Sequence, residues 1–394
     1  MADSDGPLPN RSFALGAADR QKQPPFARIA GFARRLLLSE YFILYLTITY
    51  FIVMAGFFPD LATARNLSNQ LSNVWPLLAV AIGQTFVVII AGIDLSQGAM
   101  MGFVSVAGAV IMTTAVDQGL LGGSPMWGWL IDANGGVLAG NTYAVAVAIV
   151  VMLVVGTFIG FLNGSFIARF RMPAFMVTLV ALMLFSSTAN WLTQSQNLVN
   201  LPPEFTQLGA GDIVSFYFGE KVEATIRRRD ILPFVTYPML IALALAIFAH
   251  LLLTRTVFGR YVYAIGTNAR AAEISGVPVK RIITLVFMFS GFCAGVAAII
   301  YSARLGGGRP TIGSAGILLD IIGATVIGGT SLAGGKGKVT WTIIGVIFFV
   351  LLGNTLNYMG LSAFRIDVVK GGIILVAAGL DVLRNRLLAR ERLA

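Results

Sequence analysis

The 394-residue sequence is poor in charge and almost without soft metal ligands: 12% of its residues are charged, with one cysteine and one histidine. Cys293 cannot form an intrachain disulfide, and one thiol does not report a redox compartment. With a single histidine, His250, it cannot build a structural zinc site or a Cys–His nucleophile pair, so both read as structural residues. Soluble domains average roughly a quarter charged residues. At half that density the chain cannot cover its surface with polar groups. Water-soluble enzymes, nucleic-acid binders and disordered regulators are thereby excluded. What is abundant is apolar surface, 57% of residues with a mean hydropathy of +0.82, and glycine, 44 residues. The formal charge is nonetheless +10. Such an excess points to anionic partners or, in a membrane protein, to orientation, and the position of each charge decides.

A membrane span needs about 20 apolar residues. Ten such runs are present, at about 39–58, 73–91, 97–116, 143–168, 174–195, 232–253, 282–302, 315–330, 339–358 and 366–384. The fold class expected is an all-α polytopic bundle. Residues 1–38 form a basic tail with no apolar core of a signal peptide. The short eighth run and the narrow gap between the second and third mark broken or tightly paired helices. Ten spans place both termini on one side. With that side cytosolic, 19 of the 28 basic residues and 8 of the 18 acidic ones face the cytosol, leaving +11 inside and −1 outside. The positive-inside rule selects this orientation. Residues 254–281 then form a cytosolic loop, 117–142 and 196–230 lie outside, and 385–394 is a second cytosolic tail. Trp127 and Trp129 in the first insertion suit the membrane interface. The Arg227-Arg228-Arg229 run in the second departs from the charge rule and reads as a solvated salt-bridging segment.

Leu162-Asn163 precedes Arg171 as Leu356-Asn357 precedes Arg365, an offset of 194 residues. Five spans per half would give the halves opposite topology, a 5+5 inverted repeat. Gly156, Gly160 and Gly164 recur every fourth residue, as do Gly291 and Gly295, which makes close-packing helix faces. Gly92-Ile93-Asp94-Leu95-Ser96-Gln97-Gly98 has two readings: a capped turn between helices, or a break lining a water-filled path, since a carboxylate at membrane depth is costly. Asp320 is the second acid at depth; it reads as a residue paired near a helix end or as a pathway group. The stretch Gly328–Lys338 superficially suggests a phosphate loop, but Thr330 and Gly337 occupy positions that need glycine and Ser or Thr. It is a glycine-rich turn, so ATP must be hydrolysed by another chain. In 254–281, Thr267 or Asn268 can cap a short helix, Ala269–Ser275, that Gly276 ends. A helix so short is stable only against other structure, which suits a plug for a partner's groove.

At this loop the sequence resembles the permease subunit of ribose/xylose-type ABC sugar importers, a family related to branched-chain amino-acid permeases. The resemblance is carried by Gly92–Gly98, by Leu162-Asn163-Gly164 with Arg171-Met172-Pro173-Ala174-Phe175, by Phe258–Gly276 and by Val326–Gly337, and spans about 75–385. It implies a non-enzymatic, multi-pass subunit of the bacterial inner membrane. It implies as partners two ATPase subunits or one fused ATPase, a periplasmic sugar-binding protein and a second permease copy, identical or not. It implies no nucleic acid, and no cofactor beyond ATP bound by the partner. The ATPase-coupling segment matched is Asn268, Ala269, Arg270, Ala271, Ala272, Glu273, Ile274, Ser275 and Gly276. The Gly-Ile-Asp-Leu-Ser form favours a monosaccharide, moved by alternating access. Polar residues expected along the path are Asp94, Ser96, Asn163, Asp320 and Asn357. The rivals are the same architecture carrying a nucleoside, polyol or branched-chain amino acid, and a proton-coupled carrier, which would show more acids or histidines in its spans. A membrane enzyme ranks lower still, because no nucleophile–base pair appears.

Overall fold

In lipid, backbone polar groups must be satisfied within the segment, so long apolar runs fold as helices. The computed structural model describes residues 39, 41–217, 231–313 and 315–391; the tail 1–38, the Arg227–Arg229 run and the last three residues lie outside them. Thirteen α-helices are described: α1 Phe42–Phe57, α2 Ala64–Ile89, α3 Gln97–Met112, α4 Gln118–Leu121, α5 Ala144–Phe170, α6 Ala174–Thr193, α7 Pro203–Ala210, α8 Tyr237–Arg255, α9 Val257–Ile274, α10 Val279–Leu305, α11 Ala315–Ile327, α12 Val339–Tyr358 and α13 Ala363–Glu391. Six of them, α2, α5, α6, α8, α10 and α12, are long and apolar enough to cross a membrane, and α1, α3 and α11 are shorter apolar helices. The chain is therefore a multi-pass helical membrane protein. Two small antiparallel hairpins interrupt it, β1 Ile131–Asp132 with β2 Gly135–Gly136, and β3 Asp212–Tyr217 with β4 Ile231–Thr236.

Two sequence expectations shift here. The run at 232–253 was read as one span, but its first residues are strand β4, and Thr236 caps α8 by accepting from Met239 N. The apolar, β-branched Ile231–Thr236 stretch is hydrophobic enough for a helix and pairs as a strand instead. The connector 254–281 is largely helical. Thr256 caps α9 by accepting from Gly259 N at 3.2 Å, and Gly259, Val262, Ile265 and Gly266 make its buried face.

Helices α2 and α10 form the interior, whereas α5, α6 and α8 leave broad apolar faces exposed, as helices facing lipid or a partner do. The glycine spacing is explained by one contact. A Cβ on Gly156 would stand 2.6 Å from Gly291 O, and one on Gly160 would overlap Phe287 O. Helices α5 and α10 thus meet backbone to backbone along Gly156, Gly160, Gly164, Gly291 and Gly295. A different device shapes α2. Pro76 within it has no N–H to donate to Ser72 O. Arg304 of α10 donates to that carbonyl at 2.8 Å and to Asn73 Oδ1 at 2.6 Å.

Candidate functional site

Between α2 and α3 the chain is non-helical, and Asp94 and Ser96 within this stretch are buried. Ala91 takes a left-handed conformation (φ 59°), and the chain stays non-helical up to Ser96. Asp94 Oδ1 accepts from Ser96 N at 3.0 Å and Ser96 Oγ at 2.6 Å. Its Oδ2 accepts from Ser290 Oγ of α10 at 2.9 Å. Ser290 Oγ in turn accepts from Gln97 Nε2 at 2.7 Å, and Asn163 Nδ2 of α5 donates to Ser96 Oγ at 2.9 Å. All five side chains are buried. Three donors thus converge on one buried carboxyl group. The arrangement ties α3, α5 and α10 together beside Asp94, and brings Asp94, Ser96 and Asn163 into one cluster, with Gln97 Oε1 left without a partner among the described residues.

Two further expected path residues lie elsewhere. Asp320 of α11 is paired with Lys370 of α13 at 2.7 Å. Asn357 is exposed near the end of α12, apart from both groups. Ser290 escaped the sequence reading, and Gln97 was read only as part of the Gly92–Gly98 stretch: a serine inside an apolar helix carries no pattern, and its partner is 193 residues away.

The segment Asn268–Gly276 forms a capped single turn. Asn268 leaves the helical conformation inside α9, and its Oδ1 accepts from Ala271 N at 3.0 Å. Gly276 (φ 85°) ends the turn, while Val277 N donates to Ala272 O at 3.0 Å. This is a glycine-ended helix stop with its carbonyls satisfied. Of these nine residues only Ala272 is buried, and Ile274 is 81% exposed. Below the turn, α9 is seated on the end of α2 and on the glycine-rich turn. A Cβ on Gly266 would overlap Ile89 O. Gly335 N donates to Ile89 O at 2.8 Å, and Tyr263 Oη donates to Gly337 O at 2.7 Å. Burial pushes the Tyr263 phenol up in pKa, so it remains a donor at neutral pH. Gly329, Gly334 and Gly335 all have positive φ, which gives the glycines of this stretch a structural reason with no phosphate involved. Ile89, in this seat, is five residues before Asp94. The exposed turn, the glycine turn and the buried cluster therefore form one mechanical junction.

A groove of about 740 Å³ runs beside the turn, between the ends of α5, α9 and the start of α10. Arg171, Arg270 and Lys280 line it with one acid, Glu273.

Fold and junction define a class: a multi-pass helical membrane protein with an exposed capped turn rooted in its core. Residues 66–378 match the family of the branched-chain amino acid transport system permease component, and the chain belongs to that family. The chain is 30% identical over 361 residues to the xylose transport system permease protein of Haemophilus influenzae, covering 81% of this chain and 89% of the relative. It is 33% identical over 323 residues to the ribose import permease protein of Escherichia coli, covering 82% and 87%. No solved structure matches it.

Proposed function

We propose that this chain is the membrane-spanning permease of an ATP-driven ABC importer that moves a monosaccharide of the pentose or hexose class across the bacterial inner membrane. It performs no covalent chemistry. Two ATPase subunits, or a fused pair, hydrolyse ATP, a periplasmic binding protein delivers the sugar, and a second permease copy completes the path. The observation that carries this reading is the exposed turn Ala269–Ile274, seated through Gly266 on the end of α2 and through Tyr263 on the glycine-rich turn. A push on that turn reaches Ile89 through the packing of Gly266 and the Tyr263–Gly337 and Gly335–Ile89 hydrogen bonds, five residues before the Asp94 cluster, so closure of an ATPase pair can bias which side the bundle faces. The xylose and ribose permease relatives, each matched over most of its length, support the sugar class.

The same reading makes the bundle ten spans with both termini, 1–38 and 385–394, in the cytosol, 117–142 and 196–230 outside, and the halves an inverted 5+5 repeat. Shifting α1 and α5 by 194 residues brings their first residues to 236 and 338, one short of the starts of α8 and α12, which supports the repeat.

The test is assembly. Glu273→Arg should weaken co-purification of the ATPase while membrane insertion persists, because it reverses the only acid beside Arg171, Arg270 and Lys280 in the groove. Gly276→Val forces a β-branched residue into a left-handed conformation and should act likewise. Normal assembly and normal sugar uptake in both variants would count against the coupling role.

A further inference from the structure

The groove beside the exposed turn is unbalanced in charge. Arg171 just past α5, Arg270 on α9 and Lys280 at the start of α10 meet one acid, Glu273. All four side chains are exposed. Among the described residues none of the three cations forms an ion pair. A further positive feature joins them. Helix α10 begins in the groove with Val279 and Lys280, and no side chain caps its first turn. The partial positive charge of a helix N-terminus favours an anion.

The rest of the lining is apolar. Ile167, Met172 and Ile283 share the groove with these charges. Phe170, three residues on from Ile167, lies on the same side of α5. It is 67% exposed, and its ring stacks on Phe166 with 5.6 Å between centroids. Met172, Phe175 and Met176 continue the exposed apolar surface into the start of α6. Helices α5 and α10 are both long and apolar enough to cross a membrane. In the orientation proposed above, the groove therefore lies where their cytosolic ends leave the hydrocarbon. A soluble anion or an acidic protein surface would use only the cations. A lipid uses the cations and the apolar surface together. We propose that this groove binds an anionic phospholipid of the cytosolic leaflet. Basic pockets between membrane helices at this face take such head groups. The phosphate accepts from Arg171, Arg270 and Lys280, and an acyl chain runs along Phe170 and Phe166. At about 740 Å³ the groove has room for a whole head group. The bound lipid links the ends of α5 and α10 to the turn and holds the turn at the membrane surface. The inference needs the turn on the cytosolic face and is independent of the solute carried.

The test is lipid selectivity. The full-length chain, purified in a neutral detergent, is equilibrated with mixed micelles of phosphatidylglycerol and phosphatidylcholine of the same acyl chains. The ratio of the two lipids retained is then measured. Wild type should favour phosphatidylglycerol, and about 1 M NaCl should abolish the preference by screening. In Arg171→Gln/Lys280→Gln the preference should fall about fivefold or more, because each cation near an anionic head group strengthens binding several-fold. Arg255→Gln/Arg260→Gln removes equal charge from exposed positions on the same face outside the groove, and should change the preference by less than about twofold. Equal losses in both pairs would reduce the effect to net charge and overturn the proposal. An unchanged preference in the groove pair, or one that persists in high salt, would overturn it as well. Displacement of the lipid by millimolar glycerol 3-phosphate would assign the groove to a soluble phosphate ester instead. Loss of ATPase co-purification in the groove pair, with lipid preference intact, would assign the cations to the ATPase and overturn the lipid site.

Discussion

Asp94 holds its place because three donors converge on it, and the loss of that acceptor should be felt in all of them. In Asp94→Leu, the Ser96 amide and the Ser96 and Ser290 hydroxyls lose a buried acceptor. Each orphaned donor costs about 1–3 kcal/mol. Asp94→Asn keeps one acceptor for Ser96 and turns the other position into a donor, which Ser290 Oγ can accept. The leucine variant should therefore unfold at a clearly lower temperature in detergent than the asparagine variant, with wild type highest. Equal melting of Leu and wild type would mean that the cluster adds nothing to stability. The sequence made Asp94, Ser96 and Asn163 visible, since polar side chains stand out in apolar runs. It could not show that they bond one another, because that depends on α5 and α10 closing over the break.

At the scale of elements, helix ends and contacts were legible to different degrees. The cap at Asn268 and the stop at Gly276 obey local chemistry and were readable as such. So was the glycine spacing, although which helices met along it was not. The helix start at Tyr237 was misread because hydrophobicity alone does not separate strand β4 from the helix that follows it. Pro76 illustrates a device that no local pattern reveals: a helix of one segment repaired by a side chain of another. Arg304 donates to the carbonyl that Pro76 leaves free. Arg304→Met should destabilise the bundle by about 1 kcal/mol, the low end for a carbonyl left without its donor, because Ser72 O is only part-buried. Pro76→Ala restores an N–H for Ser72 O, so in that background the Arg304→Met penalty should shrink. A double-mutant cycle on thermal unfolding measures the difference. Additive effects would show that Arg304 acts through Asn73 or packing alone.

For the whole molecule, charge and helix ends argue one orientation, and labelling can decide it. The excess of Lys and Arg assigned to one face is the signal that sets orientation during insertion, and the ATPase contact proposed for Ala269–Ile274 needs that same face in the cytosol. Among the described residues, the Lys and Arg of that face and the turn Ala269–Ile274, apart from Ala272, are exposed, so labelling reagents can reach them. Cys293 is the only native cysteine and is buried, which leaves a quiet background. A cysteine at Trp129, 69% exposed in the first insertion, should react with a membrane-impermeant maleimide in intact cells. A cysteine at Ile274, 81% exposed on the turn, should react only in inside-out vesicles, and less so once the ATPase is bound. Labelling of Ile274→Cys from outside would invert the topology and separate the turn from any cytosolic ATPase. Labelling of both positions from the same side would break the odd number of crossings between them that three spans, α5, α6 and α8, require.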